Sequence, residues 1–189
     1  MDPDGLTFAC ATSAEERVAK RLGLRAVRVG VRAANGVPDG ELVSFGLAGA
    51  LRDDLRVGDV LDATRVVDER GETLWRGDGL GIGRSATILG GDALVHDAAE
   101  RRRLHEATGA DAVDMESGVL ARSGRLAGVV RAVSDDTASS IEGVDSTVHA
   151  NGKTDVLGLL RWVATRRGAA IRSIKDALHA LDRLEEAMA

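Results

Sequence analysis

Hydrophobic and polar positions divide the chain into short apolar runs separated by polar, glycine-containing stretches. Positions 6–12 form a first apolar run, short enough for a buried strand. Ser13 can cap the helix that follows, Glu16 stands at capping-box spacing from it, and Val18 and Leu22 supply the apolar side. Positions 25–31 alternate and predict a second strand, closed by the turn signal Gly36-Val37-Pro38-Asp39-Gly40. Positions 42–49 predict a strand running into a glycine turn, where a ligand can approach the backbone closely. The β-branched run 60–67 predicts another strand. The polar stretch 69–83 reads as a loop or hairpin over a site or at a subunit contact. Positions 85–89 predict a strand ending at Gly90-Gly91-Asp92, and 97–107 a helix with Leu104 inward.

Positions 109–136 have the outline of a strand–helix–strand unit. A short apolar piece ends in the acids Asp114 and Glu116, and a helical pattern (Val119, Leu120, Leu126) follows. A second apolar run, 129–133, ends in Ser134, Asp135 and Asp136. Ligands of open α/β sheets bind at the carboxyl ends of strands. Two acids delivered there can divide the work, one holding substrate hydroxyls and the other handling a proton. Beyond them, 137–153 has no clear period, while 155–165 and 169–188 read as amphipathic helices, the second with Leu178, Leu181 and Leu184 on its apolar side. No repeat or linker divides 1–189, which reads as a single domain.

Composition removes several classes of function. A net charge of -5 gives no electrostatic reason to bind nucleic acid or an anionic membrane surface. No apolar run approaches the roughly 18 residues needed to span a bilayer, and the start lacks a basic-then-apolar leader. Cys10 is the only cysteine, and His96, His105, His149 and His179 share no ligand spacing with each other or with it. A cytoplasmic protein without disulfides, metal or organic cofactor is expected. The chain lacks a Gly-x-Ser-x-Gly elbow and a Walker loop. Aromatics are limited to Phe8, Phe45, Trp75 and Trp162, so aliphatic side chains must line much of any pocket for a planar ligand. Glu15 and Glu16 suit the first turn of a helix as well as they suit catalysis.

Four pieces, in order, resemble the purine/uridine nucleoside phosphorylase superfamily, in the branch of methylthioadenosine/S-adenosylhomocysteine nucleosidase. They are Gly46-Leu47-Ala48-Gly49, Val57-Gly58-Asp59-Val60, Val113-Asp114-Met115-Glu116 and Arg131-Ala132-Val133-Ser134-Asp135. Hopanoid-associated phosphorylase-like proteins carry Ser-Phe-Gly-Leu-Ala-Gly and Asp-Met-Glu-Ser in the same places. The resemblance implies an α/β three-layer sandwich with a mixed central sheet. It also implies cleavage of the N-glycosidic bond of a purine, adenosine-type nucleoside by a homodimer or larger homo-oligomer.

The family's roles then fall on particular residues. Glu116 would accept hydrogen bonds from the ribose hydroxyls, and Met115 would pack on the sugar. Asp135, beside Ser134, would help protonate N7 of the base. Gly46, Ala48 and Gly49 would give close backbone approach, with the base against Leu94, Val95 and Phe45. Relatives that use phosphate place a serine or threonine where this chain has Leu47, and some place an arginine where it has Ser44. That favours water as the nucleophile, activated by Glu15 or its neighbour Glu16. Phosphorolysis by a nucleoside phosphorylase, or a non-catalytic nucleoside-binding protein on the same fold, are the alternatives. The segment 31–41 is shortened relative to the family.

Overall fold

The computed structural model describes residues 5–91, 95, 97–136 and 167–189. Leu94, positions 137–153 and the helix expected over 155–165 lie outside them. The apolar runs become one mixed sheet. β1 (Leu6–Cys10) is buried throughout and runs parallel to β2 (Ala26–Arg28) and β3 (Glu41–Ala50). β4 (Val60–Val67) forms an antiparallel hairpin with β5 (Thr73–Arg76), so the polar stretch 69–83 is in part a hairpin. β6 (Arg84–Gly90) lies parallel to both β4 and β7 (Ala112–Asp114), and β8 (Leu126–Asp135) is parallel to β3 and antiparallel to β4. β7 returns antiparallel to β3, so β3, β8, β4, β6 and β7 close on themselves.

Two apolar clusters follow from the strand alternation. Leu42, Ala48 and Ala50 of β3 share one cluster with Val129 and Val133 of β8 and with Leu120 and Ala121 of the short helix α3 (Ser117–Arg122). Val43 and Phe45 of β3 share the other with Val130 and Ala132 of β8. This second cluster is covered by Val18 and Ala19 of α1 (Ser13–Arg21) and by Ala180, Leu181 and Leu184 of α4 (Arg167–Met188). Helices therefore cover both faces of a mixed sheet, as expected. A further helix, α2 (Ala98–Thr108), starts at the cap Asp97 and turns Leu104 inward.

Several details depart from the sequence reading. Leu126, expected on the helix with Val119 and Leu120, opens β8 instead, because α3 ends at Arg122. Thr12, not Ser13, caps α1, and the reciprocal partner of its capping box is Glu15, not Glu16. Either residue pair has the chemistry; the strand ends two residues earlier than the apolar run suggests. The glycines of 46–49 lie inside β3 instead of in a turn after it. Leu178, placed with Leu181 and Leu184 by spacing, is exposed, and α4 buries its side through Ala180, Leu181 and Leu184.

β3 positions the site because its partners change along its length. One edge is taken by β8 from Leu42 to Gly49. The other edge pairs with β1 up to Phe45 and with β7 only from Gly49. In the interval, the N–H of Leu47 donates not to a strand but to the Glu15 carboxylate, 2.9 Å away.

Candidate active site

Glu15 is brought to this interval because α1 begins directly after β1, the neighbour of β3. One carboxylate oxygen, Oε2, accepts from the N–H and hydroxyl of Thr12 at 2.7 and 3.0 Å, which closes the capping box. The other, Oε1, accepts from Leu47 N–H and lies over Gly46. Gly46 has φ 153°, and a Cβ there would collide with the Glu15 carboxylate and stand 2.7 Å from Nη1 of Arg131. Only glycine admits both groups at this point of the strand. The Leu47 side chain packs with the second cluster, so this position of the strand presents its amide to the site, and a carboxylate already occupies that amide.

Arg131 faces Gly46 across the β3–β8 pairing and is fully buried. Its Nη2 donates to Ser44 Oγ at 2.6 Å, lies 2.6 Å from Asp114 Oδ2 and 3.7 Å from Glu116 Oε2. Ser117 ties the network together, since its hydroxyl reaches both Ser44 and Asp114. Burial works against the guanidinium charge, but Asp114, Glu116 and Glu15 outweigh it and hold Arg131 more firmly protonated than usual. Among the described residues, Nε and Nη1 of Arg131 have no hydrogen-bond partner. A buried N–H without a partner is costly, and one placed beside a carboxylate is a ready position for a polar ligand atom.

Glu116, the first residue before α3, joins this group from the end of β7. Its Oε1 accepts from the backbone N–H of Arg32 at 3.1 Å. Arg32 and the next residue, Ala33, both have φ near 53°, a left-handed conformation that costs non-glycine residues about 1–3 kcal/mol each. This segment thus presents an amide to Glu116 from a strained turn. Burial pushes the Glu116 carboxyl up to about 8; the charges of Asp114 and Glu15 add to the rise, while Arg131 and the Arg32 N–H oppose it.

A second group forms where β3 and β8 end. Asp135 stands opposite Gly49 in the pairing and is buried. Its Oδ1 accepts from the Ser134 hydroxyl at 2.8 Å, and its Oδ2 is ion-paired with Arg101 of α2. Gly46 and Gly49, which mark the two groups, are separated by roughly 10 Å of strand at about 3.3 Å per residue.

Of the residues singled out from the sequence, Glu15, Gly46 and Glu116 converge, and Ala48, Gly49, Ser134 and Asp135 form the second group on the same strand pair. Met115 is half-buried between β7 and Glu116. Two residues lie elsewhere. Glu16 points outward and binds Lys20 at 2.6 Å and Arg28 at 3.7 Å, because it is one position round the helix from the residue facing β3. Phe45 is fully buried edge-on against Phe8 in the second cluster, since it alternates with Ser44 and Gly46. Val95 packs with a small cluster of Leu51, Leu89, Leu104 and Val113. Asp114 and Arg131 stand in the motifs without a part of their own there, and nothing in the sequence singles out Arg101 or the Arg32 amide. A single arginine inside the apolar run of β8 was the available signal for Arg131.

No protein-family model matches the sequence, and no curated protein sequence matches it. Solved structures do share its fold. An MTAN protein of Chlamydia trachomatis, bound to MTA, superposes with a TM-score of 0.64 at 14% identity, over 96% of this chain and 94% of that one. The 5′-methylthioadenosine/S-adenosylhomocysteine nucleosidase of Campylobacter jejuni gives 0.55 at 16% identity, over 96% and 99%. Futalosine hydrolase of Helicobacter pylori gives 0.53 at 16% identity, over 94% and 97%. The chain has the α/β fold of these nucleosidases and hydrolases, the fold class that its four motifs imply.

Proposed function

We propose that this protein hydrolyses the N-glycosidic bond of a purine, adenosine-type nucleoside. The observation that carries the reading is the convergence of Glu15 Oε1 and the unpartnered Arg131 Nη1 on Gly46, beside Glu116. A water held there donates to Glu15 and accepts from Arg131. Glu15 takes its proton as the oxygen bonds to C1′. Glu116 accepts from the ribose hydroxyls, with Met115 against the sugar. The transition state carries positive charge on the ribosyl ring. Glu15, Asp114 and Glu116 surround one guanidinium, and this excess of carboxylates favours that charge. Asp135 serves the departing base, giving a proton to N7 so that the base leaves neutral.

Water is favoured over phosphate by charge. A phosphate at Gly46 would meet the Glu15 carboxylate already bonded to Leu47 N–H, with no hydroxyl at position 47 to receive it. Methylthioadenosine, named for a solved neighbour of the same fold, is the first substrate to try. The test is release of free base from methylthioadenosine and adenosine, with and without phosphate. Release without phosphate is expected. Release only with phosphate makes the protein a phosphorylase, and binding without release makes it a nucleoside-binding protein. Size-exclusion with light scattering checks the expected homodimer or larger assembly.

A further inference from the structure

α2 carries the run Arg101-Arg102-Arg103, which reads as a solvated helix face. Arg102 and Arg103 fit that reading, pairing with Asp53 and Glu100 at the surface. Arg101 does not: it turns inward and is 2% exposed. Its Nη1 donates to the carbonyl of Ala50 at 3.0 Å and lies 3.5 Å from that of Asp135, while Nη2 meets Asp135 Oδ2. One side chain thereby ties α2 to the last residues of β3 and β8. Gly49 leaves room for it, since a Cβ would stand 2.9 Å from Asp135 Oδ2 and 3.3 Å from Arg101 Nη1. On the other side, the Ser134 hydroxyl is 2.8 Å from Asp135 Oδ1 and 3.3 Å from Ala48 O, so it can turn from one acceptor to the other.

We propose that Arg101 is a positioning residue for proton delivery by Asp135 to the leaving base. The inference rests on the hydrolytic reading above. In that reaction the O–H bond of protonated Asp135 breaks as N7–H forms. The electron pair of the C1′–N9 bond passes into the purine ring. The water oxygen bonds to C1′, and its proton goes to Glu15. The step leaves a carboxylate in a buried place, where an unpaired charge is costly. Arg101 supplies the compensating charge at Oδ2, and the Ser134 hydroxyl turns from Ala48 O to Oδ1. The hydrogen bonds of Arg101 run to Ala50 and Asp135 in the second group, apart from the Glu15, Arg131 and Glu116 group.

A substrate that needs no acid separates this role from a structural one. p-Nitrophenyl β-D-ribofuranoside leaves as a stable anion without protonation. Arg101→Gln should lower kcat on the purine nucleoside by about 100-fold or more, the size of a general-acid contribution, with KM within about threefold. Turnover of the nitrophenyl riboside should change by less than about threefold. Arg101→Lys keeps the charge and should recover at least about tenfold of the purine kcat. Equal losses on both substrates, or a loss confined to KM, overturn the proposal. If Arg101→Gln does not fold, Arg101→Lys must still slow the purine nucleoside more than the nitrophenyl riboside, and equal effects overturn it. Wild-type protein that frees no base from any purine nucleoside overturns the hydrolytic reading and this one together. Active wild type with an indifferent Arg101→Gln overturns this one alone.

Discussion

Glu15 and Arg131 meet over Gly46, the one point of β3 where neither could pass a side chain. The carboxylate arrives from a helix start and the guanidinium from a neighbouring strand, and the strand between them contributes only its backbone. Gly46→Ala therefore makes a sharp prediction. The φ of 153° strains any L residue by about 1–3 kcal/mol, and the new methyl displaces the carboxylate. Base release should fall by at least about 100-fold, the usual cost of misplacing a reacting group by an ångström. A folded variant with near wild-type turnover removes this convergence from the mechanism.

The two adjacent glutamates of α1 should behave oppositely. Glutamine also serves at the third position of a capping box, so Glu15→Gln should fold, but its amide nitrogen cannot accept from Leu47 N–H and the variant should lose about 1–3 kcal/mol. It cannot take a proton from water, and turnover should drop by about 10²–10⁴-fold. Glu16 holds Lys20 and Arg28 at the surface, and such pairs contribute about 0–1 kcal/mol. Glu16→Gln should leave kcat and KM within about twofold of wild type. Reversed effects would exchange their roles.

What sequence could and could not reveal follows from the same residues. β1, β3 and most of β8 were legible because buried strands are nearly continuous apolar runs, and the acid that closes β8 stands out against its run. Glu15 and Glu16 were not separable, since neighbours in a helix differ only by a turn of about 100°. Contact with β3 decides between them. Phe45 lies on the face opposite the pocket expected for it, as its alternation with Ser44 and Gly46 dictates. The Arg32 amide left no trace, because backbone groups look alike in sequence and its orientation depends on two left-handed residues. Arg101 was hidden by its exposed neighbours, which gave the run the look of a surface.

Asp114 is the stability prediction. It holds the fully buried Arg131 at 2.6 Å and accepts from both the N–H and hydroxyl of Ser117. Glu116, at 3.7 Å from the same guanidinium, is too far to replace it. Removing one partner of a buried pair costs about 3–5 kcal/mol. Urea unfolding of Asp114→Asn should show a loss of that order. Combining it with Arg131→Met removes the stranded charge and should recover part of the loss, although activity stays low. A double variant no more stable than Asp114→Asn would mean that the network contributes through shape alone.

Glu116 sets the pH dependence. Its carboxyl has a folded value of about 8 against an ordinary 4.5, raised first by burial. Between those two pH values the folded protein keeps a proton that the unfolded chain has released. Stability therefore falls as pH rises from about 4.5 to about 8 and levels off above it. Glu116→Gln carries no such proton and should flatten that slope in thermal melts taken across the range. The same titration governs substrate capture, because only the carboxylate accepts from two ribose hydroxyls. For the free enzyme, kcat/KM on the nucleoside should climb with pH toward a limb near 8, and this limb should vanish in Glu116→Gln along with most of the activity. A wild-type limb in the ordinary carboxylate range would mean that the apo site is wetter than its geometry indicates, and that burial does not hold the proton on Glu116.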